Sequence, residues 1–93
     1  MVVGLCTVEL VLSEIFSLKN KRGVMKSLMV RLRTRFNISI SEVQNHDIWR
    51  RSTLAFVCVS VSSRSAHALL SKAINVIEDE SQIIVECVEI EII

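Results

Sequence analysis

Ninety-three residues and 10.5 kDa permit one domain with one core, because a chain of this size buries only about 60% of its unfolded surface. That excludes a two-domain enzyme with an interdomain cleft and the paired βαβ halves of a dinucleotide fold. With 51% apolar and 23% charged residues, two glycines and no proline, disorder is excluded as well. The net charge of +1 conceals an uneven distribution. Positions 17–51 hold nine basic residues against two acids, a net +7, whereas positions 78–93 hold six acids and no base. Such a chain either presents a cationic surface to an anionic partner or pairs its own charges.

Residues 1–12, rich in Val and Leu on both parities, read as a central strand. Residues 13–16 form a connection, and Ser17 reads as an N-cap, with Asn20 standing where a full capping box has Glu or Gln. Over residues 18–36 the spacing of Leu18, Met25, Leu28, Met29, Leu32 and Phe36 predicts a helix with one apolar stripe. Lys19, Arg22, Lys26 and Arg33 fall on another side of it, and Gly23 costs it about 1 kcal/mol relative to Ala. Asn37 is suited to a left-handed C′ position. Residues 38–43 alternate as a half-exposed strand, 44–52 read as a loop, and 53–61 as a strongly β-prone run. After a turn at 62–65, Ala66, Leu69, Leu70, Ala73, Ile74 and Ile77 mark a second amphipathic helix. Residues 83–93 alternate as a last strand, with Val88, Ile90 and Ile92 on one face and Cys87, Glu89 and Glu91 on the other.

This β-α-β-β-α-β order predicts an α+β, ferredoxin-like sandwich over residues 1–93: a four-stranded sheet with two helices on one face. Right-handed crossovers place the first and third strands side by side in the middle. Met25, Leu28, Leu32, Leu70, Ala73 and Ile77 are expected to face the sheet. The helix-facing strand residues are expected to be Cys6, Val8 and Leu10, then Ala55, Val57, Val59 and Val61, then Val88, Ile90 and Ile92. The open face then carries Leu5, Thr7, Glu9, Leu54, Phe56 and Cys58 with Cys87, Glu89 and Glu91. Its apolar members, Leu5, Leu54, Phe56 and Cys58, are expected to form an oligomer interface, and the assembly expected is a homodimer.

The run Ser17-Leu18-Lys19-Asn20-Lys21-Arg22, the run Arg33-Thr34-Arg35-Phe36-Asn37 and the Asp47-Ile48-Trp49 region closely resemble the DUF503, or YlxP-like, family of small bacterial proteins. The resemblance extends from Met1-Val2-Val3-Gly4 to Val88-Glu89-Ile90-Glu91. It implies a ferredoxin-like fold. Family members commonly lie in gene clusters with translation and ribosome-maturation factors, which implies an RNA-related role. The family carries no established activity. Arg50 stands where the family usually has Gln, which adds positive charge to the loop.

The expected functional surface is basic. Lys19, Lys21, Arg22, Lys26 and Arg33 of the first helix, with Arg50 and Arg51 of the loop, form a candidate nucleic-acid-binding group, since phosphates favour Arg and Lys clusters. Intramolecular pairing, for instance with Glu14, is the structural alternative for the cations at the helix start. The open sheet face offers Phe56 as its one ring and shares its surface with carboxylates, so it is a poor platform for stacked bases. His46, Asp47 and Trp49 are expected as loop or partner contacts, Trp49 either plugging the loop or meeting a partner or a stacked RNA base. Adjacent His46 and Asp47 without a converging third group do not make a catalytic or metal site. The acids of positions 78–91 lack the spacing of a cation-binding loop.

No catalytic residue, metal, cofactor or small-molecule substrate is therefore expected. Cys6, Cys58 and Cys87, odd in number and set within apolar runs, fit buried thiols of a cytoplasmic protein rather than a disulfide framework. No stretch is long and apolar enough for a membrane span. The expected role is an RNA- or ribosome-associated accessory factor that contacts structured RNA. The alternative is a non-enzymatic, homo-oligomeric interaction module.

Overall fold

The long apolar run at the start of the chain becomes the centre of the sheet. A computed structural model describes residues 1–93. Its elements are β1 (Val2–Leu12), α1 (Leu18–Arg35), β2 (Ser39–Gln44), β3 (Arg51–Ser60), α2 (Ser63–Glu78) and β4 (Ile83–Ile92). The strands pair in the order β2-β3-β1-β4, antiparallel throughout. This is the ferredoxin-like arrangement. The two most apolar strands occupy the middle because both their edges and one whole face are removed from water there.

Each helix begins on a serine cap. Ser17 Oγ accepts from the Asn20 N–H at 3.0 Å, and Ser62 Oγ accepts from the Ser65 N–H at 3.1 Å. Asn20 also reaches back, its Oδ1 accepting from the Phe16 N–H at 3.3 Å. The incomplete capping box is thus completed one residue earlier than the usual pattern. The turn expected at 62–65 is the cap and first turn of α2, which starts at Ser63. Asn37 is not left-handed. α1 ends instead on extended Phe36 (φ −129°, ψ 144°), whose N–H closes the last turn on Leu32 O, so the chain runs straight into β2.

The core lies between the helices and one sheet face. Met25, Leu28 and Leu32 of α1 and Leu70, Ala73 and Ile77 of α2 are buried there, as the stripes predict. Gly4 of β1 faces α2, where an added Cβ meets Leu70, Ala66 and Cys58 at 3.1–3.2 Å. A side chain at that position holds α2 off the sheet.

The facing of β3 differs from expectation. Its two parities are about equally apolar, so the strand's own sequence does not choose between them. Register chooses: Leu54, Phe56 and Cys58 pair with Val8, Cys6 and Gly4 and face the helices with them, at 0%, 1% and 3% exposure. Ala55, Val57 and Val59 lie on the open face. Leu54, Phe56 and Cys58 are therefore core residues and not interface residues; of the expected oligomer contacts, Leu5 alone remains on the open face. The physical reason is pairing: with Gly4, Cys6 and Val8 of β1 turned to the helices, the residues directly opposite them in β3 share that face.

β4 faces as expected until a bulge between its pairings with Glu9 and Leu10. Beyond it, Val85 and Ile83 continue the covered side opposite Leu10 and Leu12.

Candidate nucleic-acid interface

The N-terminal half of α1 carries cations with opposite fates. Lys21 shares the inner stripe with Met25, Leu28 and Leu32, at i+4, i+7 and i+11, and is 1% exposed. A buried ammonium needs partners. Its Nζ lies 3.2 Å from Glu42 Oε2 and donates to the carbonyls of Asn45 and His46. Glu42, on the helix-facing side of β2, also accepts from Ser52 Oγ at 2.6 Å. Lys21 is thus an internal clamp between α1 and the β2–β3 loop, not a solvated phosphate ligand. The partner is Glu42 rather than Glu14, which is exposed.

The same clamp orders the loop at residues 45–50. Asn45 adopts a left-handed conformation, φ 65°, which an Asn side chain tolerates, and its Nδ2 donates to Thr53 Oγ1 at 3.1 Å. His46 Nε2 lies 2.8 Å from Glu42 O; a carbonyl partner requires that nitrogen to carry the proton. The loop is held by these polar contacts rather than by a tryptophan plug. Trp49 is 48% exposed, and Ile48 beside it is equally open.

Lys19, Arg22, Lys26 and Arg33 all stand exposed on α1. At i, i+3, i+7 and i+14 they form one row, about 21 Å long at 1.5 Å per residue. Asp47 is the single carboxylate that pairs with this row, 3.7 Å from Arg22 with both side chains well exposed. Arg33 also donates to Ile40 O at 3.0 Å, which ties the row's far end to β2. Beside Lys19 runs an open trough of about 580 Å³, lined among others by Asn20, Gly23, Ser27, Arg31 and Glu80. Arg31 is ion-paired to Glu80.

The remaining expected residues divide. Arg50 is exposed in the loop. Arg51 lies at an open-face register position opposite Val11 and pairs with Glu86 at 3.1 Å, so it belongs to the other side of the sheet from α1. The His46 carbonyl and the Asp47 carboxylate face α1 through Lys21 and Arg22, and no three His, Cys, Asp or Glu side chains converge as metal ligands anywhere in the chain. No helix is long and apolar enough to cross a membrane.

The Lys21–Glu42–Ser52 network was missed at the level of sequence, although a signal existed. Lys21 falls on an otherwise apolar stripe, and Glu42 falls in line with Ile38 and Ile40. Two opposite charges on inward registers of neighbouring elements point to a buried pair.

The family model described as "Protein of unknown function (DUF503)" matches residues 3–92. The Bacillus subtilis (strain 168) protein described as "Uncharacterized protein YlxP" is 31% identical over 81 residues, covering 87% of this chain and 88% of that protein. With its ferredoxin-like topology and an alignment that spans nearly every element, the chain belongs to the DUF503, or YlxP-like, family.

Proposed function

We propose that this protein is an RNA- or ribosome-associated accessory factor that binds phosphates of structured RNA through the outer side of α1. One observation carries the reading: four exposed cations, Lys19, Arg22, Lys26 and Arg33, share one side of α1, three of them in its first half, and Asp47 is the single carboxylate paired with them. Phosphate spacing along a strand suits such a row, and each contact releases condensed counterions. The loop that Lys21 fastens beside α1 adds an exposed Trp49 and Arg50. An exposed indole next to cations suits an unpaired base better than it suits water.

Fluorescence anisotropy with a labelled ribosomal RNA hairpin, and co-sedimentation with purified ribosomal subunits, test the proposal. Arg22→Ala/Lys26→Ala is expected to weaken binding and lower the slope of log affinity against log salt by about 1 per contact removed. Glu89→Gln, on the opposite side of the sheet, is expected to leave both unchanged. Unaltered affinity and slope in a double variant with a normal melt would reject the reading.

A further inference from the structure

The face of the sheet that the helices leave uncovered combines two kinds of surface. At its β2 and β3 side, Leu5, Ala55, Val57 and Val43 line an apolar hollow of about 140 Å³. Directly adjoining it, with Val43 shared, is a hollow of about 200 Å³ that includes Glu9, Glu89 and Cys87. Glu9, Glu89 and Glu91 are exposed, at register positions that put them on this face opposite Thr53, Thr7 and Leu5. None of the three pairs with a cation of its own chain. Arg51, the basic residue nearest in register, is engaged by Glu86.

We propose that this face is the docking surface for a basic amphipathic helix of a protein partner. Four strands at about 4.8 Å spacing leave room for one helix of about 10 Å diameter. Its apolar stripe would fill the Leu5–Ala55–Val57 hollow, and Lys or Arg along one flank would meet Glu9, Glu89 and Glu91. Complementary charge sets the partner's orientation and excludes nucleic acid, which the same carboxylates repel.

A second copy of this chain is a poor occupant. The outer side of α1 is a row of cations with Val30 as its exposed apolar residue, and the outer side of α2 presents Arg64, His67, Ser71, Lys72 and Asn75. Neither offers an apolar stripe. Two open faces packed together would bring like-charged carboxylates into one interface, and Arg51, the one cation at an open-face position, is already engaged by Glu86.

The test uses the full chain and a fluorescein-labelled 18-residue helical peptide with leucines at i, i+3, i+4 and i+7 and lysines along one flank. A scrambled peptide of identical composition is the control. The expected result is saturable binding with amide shift changes centred on Leu5, Ala55, Val57 and Glu89. Affinity is expected to fall at least threefold in Glu89→Gln/Glu91→Gln and at least tenfold in Val57→Lys. The Glu variants alter only exposed positions, so the test stands even if Val57→Lys does not fold. Equal binding of the scrambled peptide, unchanged affinity in the Glu double variant, or a sedimenting dimer that a folded Val57→Lys variant returns to monomer would overturn the proposal.

Discussion

The two faces of the sheet come from the same strands, yet they carry opposite chemistry. On the covered side Cys6, Val8, Leu10, Leu54, Phe56 and Cys58 are at most 3% exposed. One residue along in each strand, Leu5, Thr7, Ala55 and Val57 are half-buried and Glu9 is exposed. β3 makes the comparison sharpest, because its Leu54-Ala55-Phe56-Val57-Cys58 run is apolar on both parities. Apolar composition therefore does not define a core. A core is defined by which parity lies under the helices, and a shift of one residue exchanges the two.

The strongest way to break this contrast is truncation at neighbouring positions. Phe56→Ala is expected to cost about 3–5 kcal/mol in a denaturant melt, through lost transfer energy and a residual cavity. Val57→Ala, next along the chain, is expected to cost under about 1 kcal/mol, because its side chain already meets water. Equal losses at the two positions would mean that the open face is covered in solution.

A smaller effect is expected at the polar element of the covered side. Lys21→Ala leaves the Glu42 carboxylate and two loop carbonyls without their cation, and is expected to cost about 2–3 kcal/mol. Amide exchange in residues 45–50 should rise with it, since the loop loses its clamp. Arg22→Ala removes an exposed pair from the next residue and is expected to shift stability by less than about 1 kcal/mol.

The cysteines report on the faces most gently, without perturbing the fold. Cys87 is exposed on the open side, whereas Cys6 and Cys58 are buried. Alkylation at pH 8 followed by mass spectrometry should modify Cys87 first and reach the other two only on unfolding. Burial also pushes the Cys6 thiol up from 9.0 to about 11. The folded state therefore keeps that proton through a range in which the unfolded chain releases it. Its contribution to stability is complete below about pH 9 and is lost as pH rises towards 11. A melt series over that interval should show a declining midpoint that a Cys6→Ala variant does not reproduce in full.

Much of the molecule is legible in the chain because its signals are local. The periodicity of Met25, Leu28 and Leu32, the cap at Ser17, and the alternation from Val88 to Ile92 each depend on a few neighbouring residues. Together they determine the element order, and the connection rules reduce that order to a handful of sheet topologies, of which the ferredoxin-like one is observed. The exposed row Lys19, Arg22, Lys26 and Arg33 is legible for the same reason, since helical geometry alone aligns it.

What tertiary structure decided are the choices that local pattern leaves balanced. The facing of β3 depended on pairing with β1, because both parities are apolar and only the position of α1 and α2 breaks the tie. The end of α1 depended on the direct path into β2, which made Phe36 extended and left Asn37 without the left-handed role that its identity suggests. Lys21 looks like its neighbours Lys19 and Arg22 in any count of charge. Its fate was decided by Glu42, twenty-one residues away, because a buried ammonium is stable only where another element brings a carboxylate and carbonyl oxygens within hydrogen-bonding reach.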